Sequence, residues 1–225
     1  MNAPATLIIM TSELAIFPLN AVLFPGGVLP LRVFEPRYMD MVRDCMKTQS
    51  RFGVCLIAQD SPTASEVMRK PGDAATPEAI GCSAEITQWD MPDLGVLHIS
   101  TRGHERFRIL QRRTEPNGLI RAEVEMLAAD PRVEVAAEYG ACAQLLARII
   151  AELEEQFDAA AKEGEPPKPF PFAEPYDLAD AGWVANRLCE VLQVPNKAKQ
   201  KLMELPDGNE RLAIVNTYLH QRKVL

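Results

Sequence analysis

Residues 14–45 read LAIFPLNAVLFPGGVLPLRVFEPRYMDMVRDC, and residues 52–58 follow as FGVCLIA. Three apolar runs of strand length, 14–19, 28–34 and 52–58, are divided by turn formers at Asn20, Pro25-Gly26-Gly27 and Gln49-Ser50. Between the second and third runs, Pro36 suits a first helical turn. Met39, Val42 and Met46 then recur at helical spacing, so this segment is predicted to be a short amphipathic helix.

Downstream, 80–89, 95–100, 107–111 and 119–127 are predicted strands. In the last of them Ile120, Ala122, Val124 and Met126 alternate with Arg121, Glu123 and Glu125, the period of a half-buried strand. Turn sequences at 92–95 and 115–118 suit antiparallel pairing. Residues 59–79 carry neither period and read as a long exposed loop. The expectation is a tail (1–12) and a mostly antiparallel β-domain with one inserted helix (13–128). A helical subdomain (129–225) follows. Within it, 133–161 is a long helix and 163–176, with five prolines, is a stiff linker. Helices are expected to resume at Asp177, at Pro195 and near Asp207. The fold class is therefore α+β.

Composition narrows the function. The 225 residues carry 24 basic and 31 acidic side chains, a net charge of −7 that argues against non-specific nucleic-acid binding. No apolar stretch is long enough to span a membrane, and no signal sequence or cofactor motif is evident, which points to a cytoplasmic protein. Cysteines at 45, 55, 82, 142 and 189 are odd in number and unclustered, so neither a disulfide framework nor a zinc site is expected. No phosphate-cradling loop, nucleophile elbow or zinc-histidine pair occurs. Cys55 or Cys82 with His98 or His104 is the one nucleophilic arrangement open to the chain, and core packing is the better reading of those thiols.

The opening stretch resembles the N-terminal domain of Lon (La-type) ATP-dependent proteases. The resemblance lies in the Phe17-Pro18-Leu19 strand and in Phe24-Pro25-Gly26 leading into Pro30-Leu31-Arg32-Val33-Phe34-Glu35-Pro36-Arg37-Tyr38. It continues in the Phe52-Gly53 strand, in IGCSAEITQWDMPDLGVLHISTRGHERFRIL (80–110) and in PNKAKQKLMELPDGNERLAIVNTYL (195–219). It implies a PUA-like antiparallel pseudo-barrel followed by a helical bundle, and recognition of unfolded or degron-bearing polypeptides. Related domains occur in cereblon-type ubiquitin-ligase receptors. The ATPase and Ser-Lys protease signatures of Lon are missing, so the resemblance implies a stand-alone, non-enzymatic recognition domain, an accessory to a protease or chaperone.

Most motif residues are expected to be structural. Pro18, Pro25 and Pro30 fix strand entries and turns. Arg32, Glu35 and Arg37 are expected to form an ion pair locking strand to helix. Phe24, Phe34, Tyr38 and Phe52 are assigned to the core. Trp89, with Met91 beside it near a hairpin tip, is the candidate client anchor. Phe170 and Phe172 either pin the linker or stand exposed as further client contacts. The alternative function is RNA binding, through Lys197, Lys199, Lys201 and Arg211 or through Arg102, Arg106, Arg108, Arg112 and Arg113.

Overall fold

A computed structural model describes residues 11–58, 75–162 and 169–225. Most of the loop assigned to 59–79 and the first half of the 163–176 linker lie outside these residues. The architecture is mixed α+β. Six strands form one sheet: β1 (Thr11–Leu19), β2 (Val28–Val33), β3 (Phe52–Leu56), β4 (Ile80–Asp93), β5 (Val96–Thr114) and β6 (Ile120–Met126). The helices are α1 (Pro36–Thr48), α2 (Gly140–Lys162), α3 (Ala181–Val191), α4 (Asn196–Glu204) and α5 (Gly208–Gln221), with a short 3-10 turn before α2.

The strand order is β2-β5-β4-β3-β1-β6, and β5 also pairs with β6. Five strands therefore form a closed cycle of pairings, with β2 added as an edge on β5. The pairings are antiparallel except β1–β3, which is parallel because α1 lies on the connection between them. The two strands expected at 95–100 and 107–111 are one 19-residue strand, β5. Its length follows from its work: it pairs β2 near its start, β4 over most of its length and β6 near its end. A single sequence window shows no reason for a strand to pass from one partner to the next.

Alternation works where one face is buried. Ile120, Ala122 and Val124 of β6 are buried with Ile16, Cys55 and Phe107. A second core lies between the sheet and α1, where Tyr38, Met41, Val42 and Cys45 meet Phe17, Phe52 and Ile99. Tyr38 stacks on Phe17 with ring centroids 4.0 Å apart. Gly53 is needed here: a Cβ at this position would lie 2.6 Å from the Phe107 ring and 2.7 Å from Ile16.

The third core is the helical bundle, and Phe24 and Phe172 are fully enclosed in it. Phe24 comes from the β1–β2 loop, so the Phe-Pro-Gly motif plugs the sheet into the helices. Gly26 holds φ +76°. Gly27 has no room for a side chain, since a Cβ would come within 2.1 Å of Glu190 Oε1. The buried Arg187 guanidinium closes this junction, donating from Nη2 to the Pro25 carbonyl and to Glu190, both at 2.8 Å. Phe172 bridges to Gly27, and Phe170 packs edge-on against Phe157 and Phe172.

Burial pushes the Glu190 carboxyl up to about 7, against the opposing pull of Arg187 and Lys199. The folded chain thus holds a proton that the unfolded chain releases near 4.5. The sign follows from linkage. The stabilisation is complete below about pH 4.5 and is lost as pH rises through about 7. Denaturant unfolding across this window is expected to show that fall, and Glu190→Gln is expected to flatten it. An unchanged slope in Glu190→Gln would assign the pH dependence to another group.

A second polar lock joins β5 to α4 and α5. Arg106 and Arg211, 4% and 1% exposed, both bind Asp130, through opposite carboxylate oxygens. They also cap the C-terminal end of α4: Arg106 donates to the Met203 carbonyl at 3.0 Å, Arg211 to Leu202 at 2.8 Å, and both to Leu205. A cation there satisfies the last carbonyls and opposes the helix dipole. α3 and α5 cross closely, and a Cβ on Gly208 would lie 2.4 Å from Gly182 Cα.

Helix starts differ in detail from expectation. α3 is capped by Asp180, which accepts from the Trp183 N–H, rather than by Asp177. Asp177 instead accepts from Arg132 Nε and Nη2, both at 3.1 Å. α5 starts at its expected cap, with Asp207 accepting from the N–H of Asn209 and Glu210.

Phe34 is a clear correction. It is 66% exposed, because Val33 before it points into the core and Phe34 leaves on the other side.

Candidate functional site

The long β4–β5 hairpin borders an open hollow. Its turn is Leu94-Gly95, so residues 92 and 93, read from sequence as part of a turn, belong to β4. In the ladder Leu31 of β2 faces Ile99 of β5, and Ile99 faces Trp89 of β4. Residues paired across a sheet share a face, so these three form one cross-strand apolar row. Ile99 is buried in the sheet–α1 core, Leu31 is partly buried against it, and Trp89 at the end of the row is 62% exposed. The core's apolar surface therefore runs out into the open.

Leu31, Ile99 and Trp89, with their neighbours along the three strands, border a cleft of about 860 Å³. Pro30, Leu31 and Arg32 form one side, Thr87 to Asp90 the other, and Pro169 closes an end. Arg32 and Asp90 are exposed at its rim, and Met91 and Leu94 stand exposed further along the hairpin. Arg32 also borders a smaller hollow of about 210 Å³, lined by Phe17, Pro18, Leu19, Phe34, Glu35 and Tyr38. Of the motif's aromatic residues, Phe34 is exposed while Phe17, Phe24, Tyr38 and Phe52 are buried.

The expected ion pair forms between Glu35 and Arg37, at 2.7 Å, without Arg32. Arg37 also donates to the Gly118 carbonyl at 2.9 Å, tying the start of α1 to the β5–β6 turn. Pro18 is buried in β1 beyond the last residue paired with β6, where its missing N–H breaks no bond to that strand. Pro30 is exposed on β2, the sheet's edge strand. Of the four client-contact candidates, Trp89 and Met91 are on the open hairpin, whereas Phe170 is only partly exposed and Phe172 is buried. Phe172 cannot meet a client without unpacking the bundle.

Sequence reasoning passed over Phe34 and Leu31 as contact surface. The cue was present: a strand alternating around buried Val33 turns Phe34 outward.

The thiols lack the surroundings of a nucleophile. All five cysteines are free and buried. Burial pushes the Cys55 thiol far above its ordinary range and the Cys82 thiol up to about 12. Cys82 Sγ lies 3.6 Å from the backbone carbonyls of Ser83 and His104, while the His104 ring faces Glu85 at 2.7 Å. Among the described residues no group of histidines, cysteines and carboxylates is arranged to hold a metal ion. No described helix is long and apolar enough to cross a membrane.

Comparison with known proteins agrees with this architecture. Residues 13–221 match the family model of the ATP-dependent protease La (LON) substrate-binding domain. A crystal structure of a Lon N-terminal domain protein from Xanthomonas campestris is 32% identical. It superposes with a TM-score of 0.69, covering 92% of this chain and 98% of that one. Lon protease 2 of Myxococcus xanthus is 28% identical over 213 residues, which are 93% of this chain and 24% of that protein. Protein cereblon of Danio rerio is 28% identical over 109 residues, 47% of this chain and 23% of that protein. The chain thus spans about a quarter of the length of the curated relatives it matches. On the match across nearly its whole length, the chain belongs to the family of Lon (La) substrate-binding domains.

Proposed function

We propose that this chain is a non-catalytic polypeptide-recognition module with a PUA-like pseudo-barrel. It binds exposed apolar segments of unfolded or degron-bearing proteins in the cleft between β2 and β4, as an accessory to a protease or chaperone. The observation that carries this reading is the Leu31–Ile99–Trp89 row, which runs from the buried core out to the exposed Trp89 ring beside the cleft. Family membership supports the same role. Recognition rests on side chains, because Pro30 has no N–H to offer an added strand on the β2 edge.

Burying an indole removes water from roughly 150–250 Å², which makes Trp89 the largest single contributor to binding. Trp89→Ala is expected to weaken binding of a reduced, alkylated model polypeptide about tenfold or more. Its thermal midpoint should stay near that of the parent, and added salt should weaken binding only slightly. A large fall in midpoint would make Trp89 a packing residue, and unchanged affinity in a stable variant would remove it from the site.

RNA binding has less support. Arg106 and Arg211 are buried on Asp130, Arg108 and Arg113 pair with Glu125 and Glu13, and Lys199 donates to the Glu190 carbonyl. Neither basic cluster is left whole to meet phosphate.

A further inference from the structure

On the helical side, away from the Trp89 cleft, α4 and α5 enclose a groove of about 500 Å³ lined by Leu192, Val194, Ala198, Leu202 and Ile214. Its apolar character is not a by-product of packing. α5 already buries Leu212, Val215 and Leu219, whereas Ile214 is turned outward and is 45% exposed. The rim is cationic. Lys201 and Arg222 border the groove, and the Arg222 guanidinium lies over the Tyr218 ring, 5.3 Å from its centroid. Lys197 sits one turn from Lys201 on the same face of α4. Against these stand Glu204, which holds Lys201 at 2.7 Å, and Glu78, whose charge also acts on Lys201, while residues 211–225 contain no Asp or Glu. In a chain of net charge −7 this face has the opposite sign to the whole.

We infer that the α4–α5 groove is a docking site for an acidic amphipathic helix of a partner protein. The walls are α4 and α5, with the loop before α4 (192–195) at one side; helices have no free backbone edge, so an extended peptide would find few partners for its own N–H and C=O groups. A helix satisfies them internally and presents apolar residues at every third or fourth position to such a groove. Carboxylates flanking that stripe meet Lys201, Arg222 and Lys197, which favours acidic over basic partners and speeds encounter. The site is separate from the proposed client cleft and does not depend on it.

The test uses a fluorescein-labelled amphipathic peptide with leucines at helical spacing and glutamates on the flanks, beside a twin with lysines in place of the glutamates. Anisotropy is expected to show the glutamate peptide binding about tenfold or more tightly than its twin. Ile214→Glu is expected to weaken it at least about tenfold while circular dichroism and thermal midpoint are retained. Lys201→Glu combined with Arg222→Glu should reverse the preference between the two peptides. Equal affinity for the two peptides, or binding indifferent to Ile214→Glu, would overturn the inference. So would single-stranded RNA or anionic lipid vesicles that displace the peptide and themselves lose binding in Ile214→Glu.

Discussion

Asp130→Ala is expected to cost about 3–5 kcal/mol of stability, the range for removing one partner of a buried ion pair. Asp130 is the shared carboxylate of Arg106 and Arg211, and the three side chains are 14%, 4% and 1% exposed. Without it, two guanidinium groups remain buried side by side with only neutral acceptors, the carbonyls at the end of α4 and the Asn186 side chain. Burial already lowers the Arg106 pKa, and Arg211 adds to that, so the site penalises positive charge even with Asp130 present. For a chain of this size the loss corresponds to a midpoint lowered by roughly 10 °C. Asp130→Asn keeps an acceptor but not the charge and should fall between the two. A midpoint for Asp130→Ala within a few degrees of the parent would show that the arginines find solvent, and that the lock is not needed.

The second large effect is at Phe24. Phe24→Ala is expected to destabilise by about 3–5 kcal/mol, through the lost transfer of the ring and the cavity left behind. The ring is fully enclosed among helical residues such as Cys142, Leu146 and Leu188, although it is carried by a loop of the sheet. Collapse around the cavity is limited, because Gly26 and Gly27 are already pressed against Arg187 and Glu190. Phe24→Leu should recover most of the loss. Denaturant unfolding measures both variants: a lower midpoint at unchanged slope is the expected result. A loss below about 1 kcal/mol in Phe24→Ala would mean that the helices close over the gap.

These two positions also show what the sequence makes legible. The secondary-structure pattern is largely local, and it is readable: β6 alternates, α1 starts at its proline, and α5 starts at Asp207. Trp89 is exposed, but within β4, five residues before the turn at Leu94 and not beside it. What is not readable is which element answers which. Arg106 and Arg211 look like surface charge because their partner Asp130 lies in a segment with no periodicity of its own. Phe24 looks like a core residue, and it is one, but in the helical core rather than the sheet's. Phe34 was misplaced for a different reason: its aromatic character was weighed above its position in the alternation. The cleft itself has no signature at all, because it arises only when β2, β5 and β4 come into register.

The plug formed by Phe24 and the Pro25 carbonyl carries a consequence for synthesis. The contact from Arg187 to Pro25 joins residues 162 positions apart. At roughly 5–20 residues per second, Phe24 and its loop wait about ten to thirty seconds after emerging before the helix that covers them has been made. During that interval the β strands can pair, but their loop shows a phenylalanine with no partner. Maturation on the ribosome is therefore governed by the C-terminal helices. A nascent chain halted before α3 would itself display the kind of apolar segment that the finished protein is proposed to recognise in others.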